Sequence, residues 1–469
     1  MKHFLLALSF LLLLPSFHAQ SVYPDYQDGV MYVKLDKTAF KPIALENPYS
    51  IPLSKLELLK PFVSGFGVYK VSRPFFQAKG DENLPYVIKI FFQAKSSVAS
   101  FIETLQRTKG IVYAEKVPIT TIDAVPNDPL WAATSGSTHL NQIGAQNAWN
   151  VFNGTSTIAV AIVDNAVMWN HVDLAANVYI NPGETPSNGI DDDGNGYIDD
   201  VNGWDVSDND NNAVPTNSLM DHGTHCAGIA AGVTNNTIGI ASIGWNIKFI
   251  PVKCQTNTGS VNIVANGYEG IVYATNAKAK IISCSWGGAG SSTTEQSVVN
   301  YAWNRGCIVM ASAGNSSTNT PSYPGAYTNV YCVASVNPSD VISSFSNFGT
   351  WVDISAPGNS INSTVPYTVT PAYGLKSGTS MACPLVAGLA GLMLAKSPNM
   401  TRTDVLNCIS STAVNIYTLA GNSAYVTGSQ LGAGRINAFA AMTCAATYSA
   451  LPPVANFTAN LTNACPNTP

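Results

Sequence analysis

Ile158-Ala159-Val160-Ala161-Ile162-Val163 is an unbroken apolar run, rich in β-branched side chains and closed by Asp164. A strand with one face in water alternates apolar and polar residues. This run does not, so it predicts a strand covered on both faces. Runs of the same kind recur at Phe249–Val252, Lys280–Cys284, Ile308–Ala311 and Val330–Val336. Helical spacing lies between them, as in Ile263, Val264, Tyr268, Ile271 and Val272. Strands that alternate with helices predict an α/β fold, a parallel sheet with helices on both faces, over residues 126–447.

Outside that region the pattern changes. Lys2 and His3 precede the apolar stretch Phe4–Leu14, and Pro15-Ser16-Phe17-His18-Ala19 follows. This is the order of a secretory signal peptide over residues 1–19, so the chain is expected to be secreted. Residues 20–125 read as a separate small α+β unit of β-α-β type. Tyr86–Phe92 is a strand, Val98, Phe101, Ile102 and Leu105 carry helical spacing, Gly110 stops that helix, and Ile111–Val117 is a second strand. The polar stretch Thr120–Pro129 reads as a linker.

Composition excludes several functions. The 469 residues are 46% hydrophobic and 11% charged, with 23 basic against 28 acidic side chains and a net charge of −5. Charged residues usually make up about 25%, and disorder needs low hydrophobicity with high net charge. No basic block exists to bind nucleic acid. No internal run has the length expected of a membrane span. The nine cysteines show no paired Cys/His spacing of the kind that binds zinc, and their odd number leaves at least one unpaired within the chain.

Open parallel sheets put their chemistry beyond the carboxyl ends of the strands. Asp164 ends a strand there. His222 stands in Asp221-His222-Gly223-Thr224-His225, and Ser380 opens an apolar helix after Ser377-Gly378-Thr379. Taken singly, these are an ordinary turn residue, one of two nearby histidines and an N-cap. Taken together they are an acid, a base and a hydroxyl nucleophile, the set that a weak nucleophile needs. Asn315, after the strand that ends at Ala311, is a candidate amide donor, and the free N–H groups of the Ser380 helix supply others. The chain order Asp, His, Ser differs from that of the α/β-hydrolases and of chymotrypsin-like enzymes.

With Tyr323-Pro324-Gly325-Ala326-Tyr327, Phe345–Gly349 and Ser355-Ala356-Pro357-Gly358 added, residues 126–445 resemble the subtilases, secreted subtilisin-like serine proteases. The resemblance implies a catalytic triad of Asp164, His222 and Ser380, with an oxyanion hole formed by the Asn315 side chain and the Ser380 N–H. It implies polypeptide substrates, bound along Ser285-Trp286-Gly287-Gly288 and Gly314, with broad and often apolar preference at the residue before the cut. It makes residues 20–125 a propeptide, an intramolecular chaperone and inhibitor removed by self-cleavage within Thr120–Pro126. The mature enzyme is expected to act as a monomer at neutral to alkaline pH, where His222 is unprotonated. Three departures stand out: Asn165-Ala166 where the family has a small hydroxyl residue and Gly, Cys383 for Thr, and Leu385 for His. If position 166 needs a positive φ, Ala166 strains the turn.

Acidic residues crowd into the segment 191–210. Asp191-Asp192-Asp193-Gly194-Asn195-Gly196-Tyr197-Ile198-Asp199 matches a calcium-binding EF-hand loop through its ninth position, but the usual Glu at the twelfth is replaced by Asn202. A structural Ca²⁺ held by Asp191, Asp193, Asn195, Asp199 and the Tyr197 carbonyl is expected, and not an EF-hand sensor. At the other end, residues 448–469 read as a linker and then Pro452–Asn460, which resembles the opening strand of a PKD-type β-sandwich. The chain is therefore expected to be a fragment of a longer secreted protein, with the partner of Cys465 beyond it. Two competing functions remain, a catalytically inactive subtilase-fold binding protein and a calcium-dependent adhesion module.

Overall fold

The computed structural model describes residues 26–37, 50–78, 81–93, 98–118, 124–132, 137–154, 158–259, 263–367 and 372–449. The signal-peptide and PKD-like readings, Cys465 and most of the expected cleavage segment lie outside the described residues. The chain divides into two compact units, Met1–Ile122 and Asp123–Pro469.

The first unit holds strands β1 (Tyr26–Leu35), β2 (Val68–Ser72), β3 (Val87–Phe92) and β4 (Ile111–Pro118), with helices α1 (Lys60–Phe66) and α2 (Val98–Gln106). The sheet order is β2-β3-β1-β4, and every pairing is antiparallel. The strand–helix–strand read from sequence is thus β3-α2-β4, split by β1. In β1, Met31, Val33 and Leu35 are fully buried while Tyr32 and Lys34 are not, so this strand does alternate. Phe101 and Leu105 of α2 and Phe62 of α1 complete that core. Burying one such side chain contributes about 1.5–3 kcal/mol.

The second unit opens with short helices α3 (Pro129–Ala132), α4 (Thr138–Gln142) and α5 (Ala145–Val151). Its sheet contains β5 (Ala159–Asp164), β6 (Trp204–Asp205), β7 (Lys248–Lys253), β8 (Ile281–Cys284), β9 (Ile308–Ser312), β10 (Val330–Val336) and β11 (Ile354–Pro357). They pair in parallel in the order β11-β10-β9-β8-β5-β7-β6. The unalternating runs explain this. All six residues of β5 are buried, as are the four of β8 and the five of β9. Strand order reverses at β5, which lies between β7 and β8, and such a switch point opens a crevice at the carboxyl edge.

Helices α6 (His222–Ala231), α7 (Gly267–Asn276), α8 (Thr293–Asn304), α9 (Thr379–Lys396), α10 (Arg402–Ser411) and α11 (Ala438–Ser449) complete the unit with a small hairpin, β12 (Ile361–Thr364) and β13 (Tyr373–Lys376). The 18-residue α9 is long and apolar enough to cross a membrane, but 89% of that window is buried inside the fold, so it is a core helix. Cys408 and Cys444 form a disulfide between α10 and α11, across 36 residues. By the chain-entropy account a loop of that length stabilises by roughly 4 kcal/mol. Among the described residues, six other cysteines are free and buried.

Candidate active site

Asp164 is held at the end of β5 with only 1% of its surface exposed. Its Oδ1 accepts the Asn165 N–H at 2.8 Å and lies 2.8 Å from Nδ1 of His222, while Oδ2 is buried with no hydrogen-bond partner among the described residues. The contact requires α6 to start almost on top of β5, and Gly223 permits it. A Cβ there would lie 2.3 Å from the Ala166 carbonyl oxygen and 2.7 Å from Asp164 Cβ. Ala166 itself has no positive φ, so the strain conditional on such a turn does not arise.

Asp164 also sets the charge of His222. Burial alone would push the imidazole pKa down; the Asp164 carboxylate, with Cys226 beside it, outweighs burial and holds His222 well above its ordinary 6.5. His225 is the opposite case. Its Nε2 sits 3.1 and 3.0 Å from the carbonyls of Ile361 and Gly374, and burial pushes its pKa down to about 3. It is a neutral structural histidine that ties α6 to the β12–β13 hairpin. Lys376 of that hairpin pairs with Asp221 at 2.8 Å, linking the His222 and Ser380 segments.

Ser380 stands in the first turn of α9, and Pro384 shapes its surroundings. Proline has no N–H, so the Ser380 carbonyl four residues earlier is left without its helical donor. The Ser285 hydroxyl donates to it at 2.9 Å and the Cys226 thiol at 3.4 Å. In return, the Ser380 hydroxyl donates to the Ser285 carbonyl at 2.9 Å. The nucleophile candidate is therefore fastened to the segment that follows β8. That hydrogen bond must be given up before the hydroxyl can donate to His222.

Asn315 is oriented by the same helix. Its Oδ1 accepts from the Thr379 N–H at 2.9 Å and the Thr379 hydroxyl at 3.0 Å, and Nδ2 has no hydrogen-bond partner among the described residues. Gly314 makes the turn at φ +99°, and a Cβ there would meet Asn347 Nδ2 at 2.5 Å. His222, Ser380, Asn315, Gly314 and the segment Ser285–Gly288 all line one cleft of about 630 Å³. An acid–base pair, a hydroxyl and an anchored amide converge there, the parts list for acyl transfer.

Comparison with known proteins decides the family. The subtilase family model matches residues 155–438. The chain belongs to the subtilase family. It is accordingly a subtilisin-like serine endopeptidase. Thermitase of Thermoactinomyces vulgaris is 40% identical over 319 residues, covering 68% of this chain and 99% of thermitase. An extracellular protease of Xanthomonas campestris is 35% identical over 347 residues, covering 68% of this chain and 57% of that protein. Among solved structures, one of the proteases from Pseudoalteromonas arctica PAMC 21717 superposes with a TM-score of 0.56 at 27% identity, covering 69% of this chain and all of that one.

The other departures from the family pattern lie away from the cleft. Cys383 and Leu385 are fully buried in α9, and Cys383 faces β8, with its Sγ 3.7 Å from the Ser283 hydroxyl. Sequence reasoning missed Thr379, which orients Asn315, and also Tyr268, Tyr323 and Glu295, which line the cleft. It missed Glu184 and Asp200 as well. Their carboxylate oxygens and one from Asp193 all lie within 4.8 Å of one another. Glu184 stands seven positions before Asp191, outside the loop pattern, and gave no spacing signal.

Proposed function

We propose that the enzyme hydrolyses peptide bonds through Asp164, His222 and Ser380. His222 Nε2 removes the Ser380 proton as Oγ attacks the carbonyl carbon, and Asp164 fixes the imidazole with Nδ1 protonated. The oxygen that gains charge is met by Asn315 Nδ2 and the Ser380 N–H. The C–N bond breaks as His222 gives its proton to the amine, and water then releases the acyl-enzyme by the same route. Ser285–Gly288 is the edge along which the substrate backbone pairs, as in strand addition. The observation that carries this reading is Asn315, a residue of the cleft wall whose carbonyl is doubly anchored by Thr379 while its amide nitrogen has no partner among the described residues. Asn315→Ala is expected to lower kcat by about 10²–10³ with little change in KM, the size known for such a removal in a subtilisin itself. Unchanged steady-state kinetics on a peptide substrate would reject the assignment.

The same reading makes the chain a zymogen. Residues 20–125 are its propeptide and inhibitor, cut by the enzyme itself within Thr120–Pro126, and the signal peptide sends the product outside the cell as a monomer. The extracellular relative supports the location.

A structural Ca²⁺ belongs to this proposal. The donors fit a hard cation: Glu184, Asp193 and Asp200 gather carboxylates with no Lys or Arg paired to them among the described residues. Burial pushes the Asp200 pKa up to about 6, the cost of an acid without a counter-charge. Asp191 accepts the Asn195 and Gly196 N–H groups and Asn195 Oδ1 accepts that of Tyr197, closing the loop on itself. Asp199 accepts from Asn188 and Gly189. Asp191, Asp193, Asn195, Asp199 and the Tyr197 carbonyl would hold the ion, with Glu184 and Asp200 beside Asp193. A ligand at a hundred times its Kd stabilises by roughly 3 kcal/mol, so excess EDTA is expected to lower the melting temperature by several degrees, and added Ca²⁺ to restore it. An identical melting curve with and without chelator would remove the ion from the account.

A further inference from the structure

Glu295 is the acid that the mechanism leaves unused inside the cleft. From sequence, Ser292-Thr293-Thr294-Glu295 at the start of α8 has the spacing of a capping box, in which the Glu reaches back to the Ser292 N–H. The structure completes only half of it. The Ser292 hydroxyl accepts from the Thr294 N–H at 3.2 Å, but the Ser292 N–H donates at 2.6 Å to the hydroxyl of Tyr327. That hydroxyl donates in turn to Glu295 Oε2 at 2.7 Å. Tyr327 has replaced the carboxylate at the helix end. Glu295 is half-buried, lines the cleft and has no Lys or Arg paired to it among the described residues.

Its neighbours are aromatic. Tyr268 meets the Trp286 ring edge-on at 5.3 Å and the Tyr327 ring at 6.4 Å; Tyr323 lies 4.5 Å from Tyr327. Tyr268, Trp286 and Tyr323 all line the cleft. Trp286 is fixed by its Nε1–H, which donates to the Val163 carbonyl at 2.8 Å. A carboxylate beside electron-rich rings attracts a cation by charge, and a cation that settles over one of those rings is held by the ring quadrupole as well. An apolar side chain in the same place covers the carboxylate and strips it of water without replacing it.

We infer that Glu295, with Tyr268 and Trp286, forms a cation-selective subsite that takes a Lys or Arg side chain of the substrate on the N-terminal side of the cut. The inference rests on the hydrolase reading above and adds to it a selectivity that the apolar preference expected from the resemblance does not contain. In the proposed binding mode the acyl half of the substrate pairs along Ser285–Gly288, the segment that carries Trp286, and that puts the subsite on that side.

The test uses the processed enzyme and a set of fluorogenic peptides with Lys or the near-isosteric norleucine at each of the four positions before the cut. In the wild type, kcat/KM for Lys is expected to exceed that for norleucine at least tenfold at one of these positions. In Glu295→Gln, whose amide oxygen still accepts from Tyr327, that ratio should fall to about one. The ratio is the readout because a folding defect lowers both rates alike. Equal rates for Lys and norleucine at every position, or a ratio that survives in Glu295→Gln, would overturn the subsite and leave the hydrolase intact. If no peptide is cleaved by the wild type, the hydrolase reading fails and the subsite fails with it.

Discussion

Ser380→Ala is expected to reduce kcat by about 10⁶ and to leave the secreted precursor uncut. The size follows what is known for the same removal in a subtilisin, where losing the nucleophile costs nearly as much as losing the whole triad. In free energy it is roughly 8 kcal/mol of lost transition-state stabilisation. The variant should still fold. Ser380 gives up one hydrogen bond to the Ser285 carbonyl, which contributes about 1 kcal/mol. The bonds that the Ser380 carbonyl accepts from Ser285 and Cys226 stay in place. Intact mass after secretion with Ca²⁺ is the check. Loss of roughly the first 125 residues in the parent alone establishes Ser380-dependent processing. Equal trimming of both chains assigns the cut to a host protease and removes the self-cleavage step. A parent that folds, stays uncut and cleaves no peptide sustains the inactive binding-protein reading instead.

Much of this is legible in the amino-acid sequence. The β5 run, the unalternating strands after it and the three polar residues at strand–helix junctions were visible because parallel strands must be apolar throughout and catalytic groups must sit where they end. The short strands were not. β6 has two residues, Trp204–Asp205, too few for a period, and β11 (Ile354–Pro357) holds a serine and a proline where the legible strands are apolar and β-branched. β1 does alternate, yet it lies far in sequence from β3 and β4, which it joins, and only tertiary pairing reveals it. At the site, supporting residues were the hidden part. Thr379 is a small hydroxyl beside the nucleophile, in the segment that precedes the helix opened by Ser380. Its role depends on Asn315 arriving from β9, a contact across 64 positions. Glu295 was concealed more thoroughly, since its spacing from Ser292 already has an ordinary explanation and only the Tyr327 hydroxyl shows that explanation to be unfilled.

Asp164→Asn is expected to lower kcat by about 10⁴ and to move the acid limb of the pH profile downward. The first effect is one of tautomer: an amide can present N–H to His222 Nδ1 and leave the proton on the nitrogen that must act as base. The second follows from the two opposed influences on the imidazole. Burial pushes its pKa down, and the carboxylate at 2.8 Å more than reverses this. Wild-type kcat/KM should therefore rise with pH through a midpoint above 6.5, the alkaline side of the range expected from sequence. Without the charge the largest upward influence is gone, only Cys226 still opposes burial, and the midpoint falls from its wild-type value. Stability carries the opposite sign. A histidine whose folded pKa is raised stabilises the fold fully below its unfolded pKa, and this contribution is lost as pH rises through the folded value. The ion pair thus protects the fold most where His222 is protonated and cannot serve as base. The melting-temperature gap between wild type and Asp164→Asn should be widest below pH 6.5 and should narrow as the wild type gains activity. A gap that does not vary with pH, or an acid limb that stays in place in the variant, would show that Asp164 does not set the charge of His222.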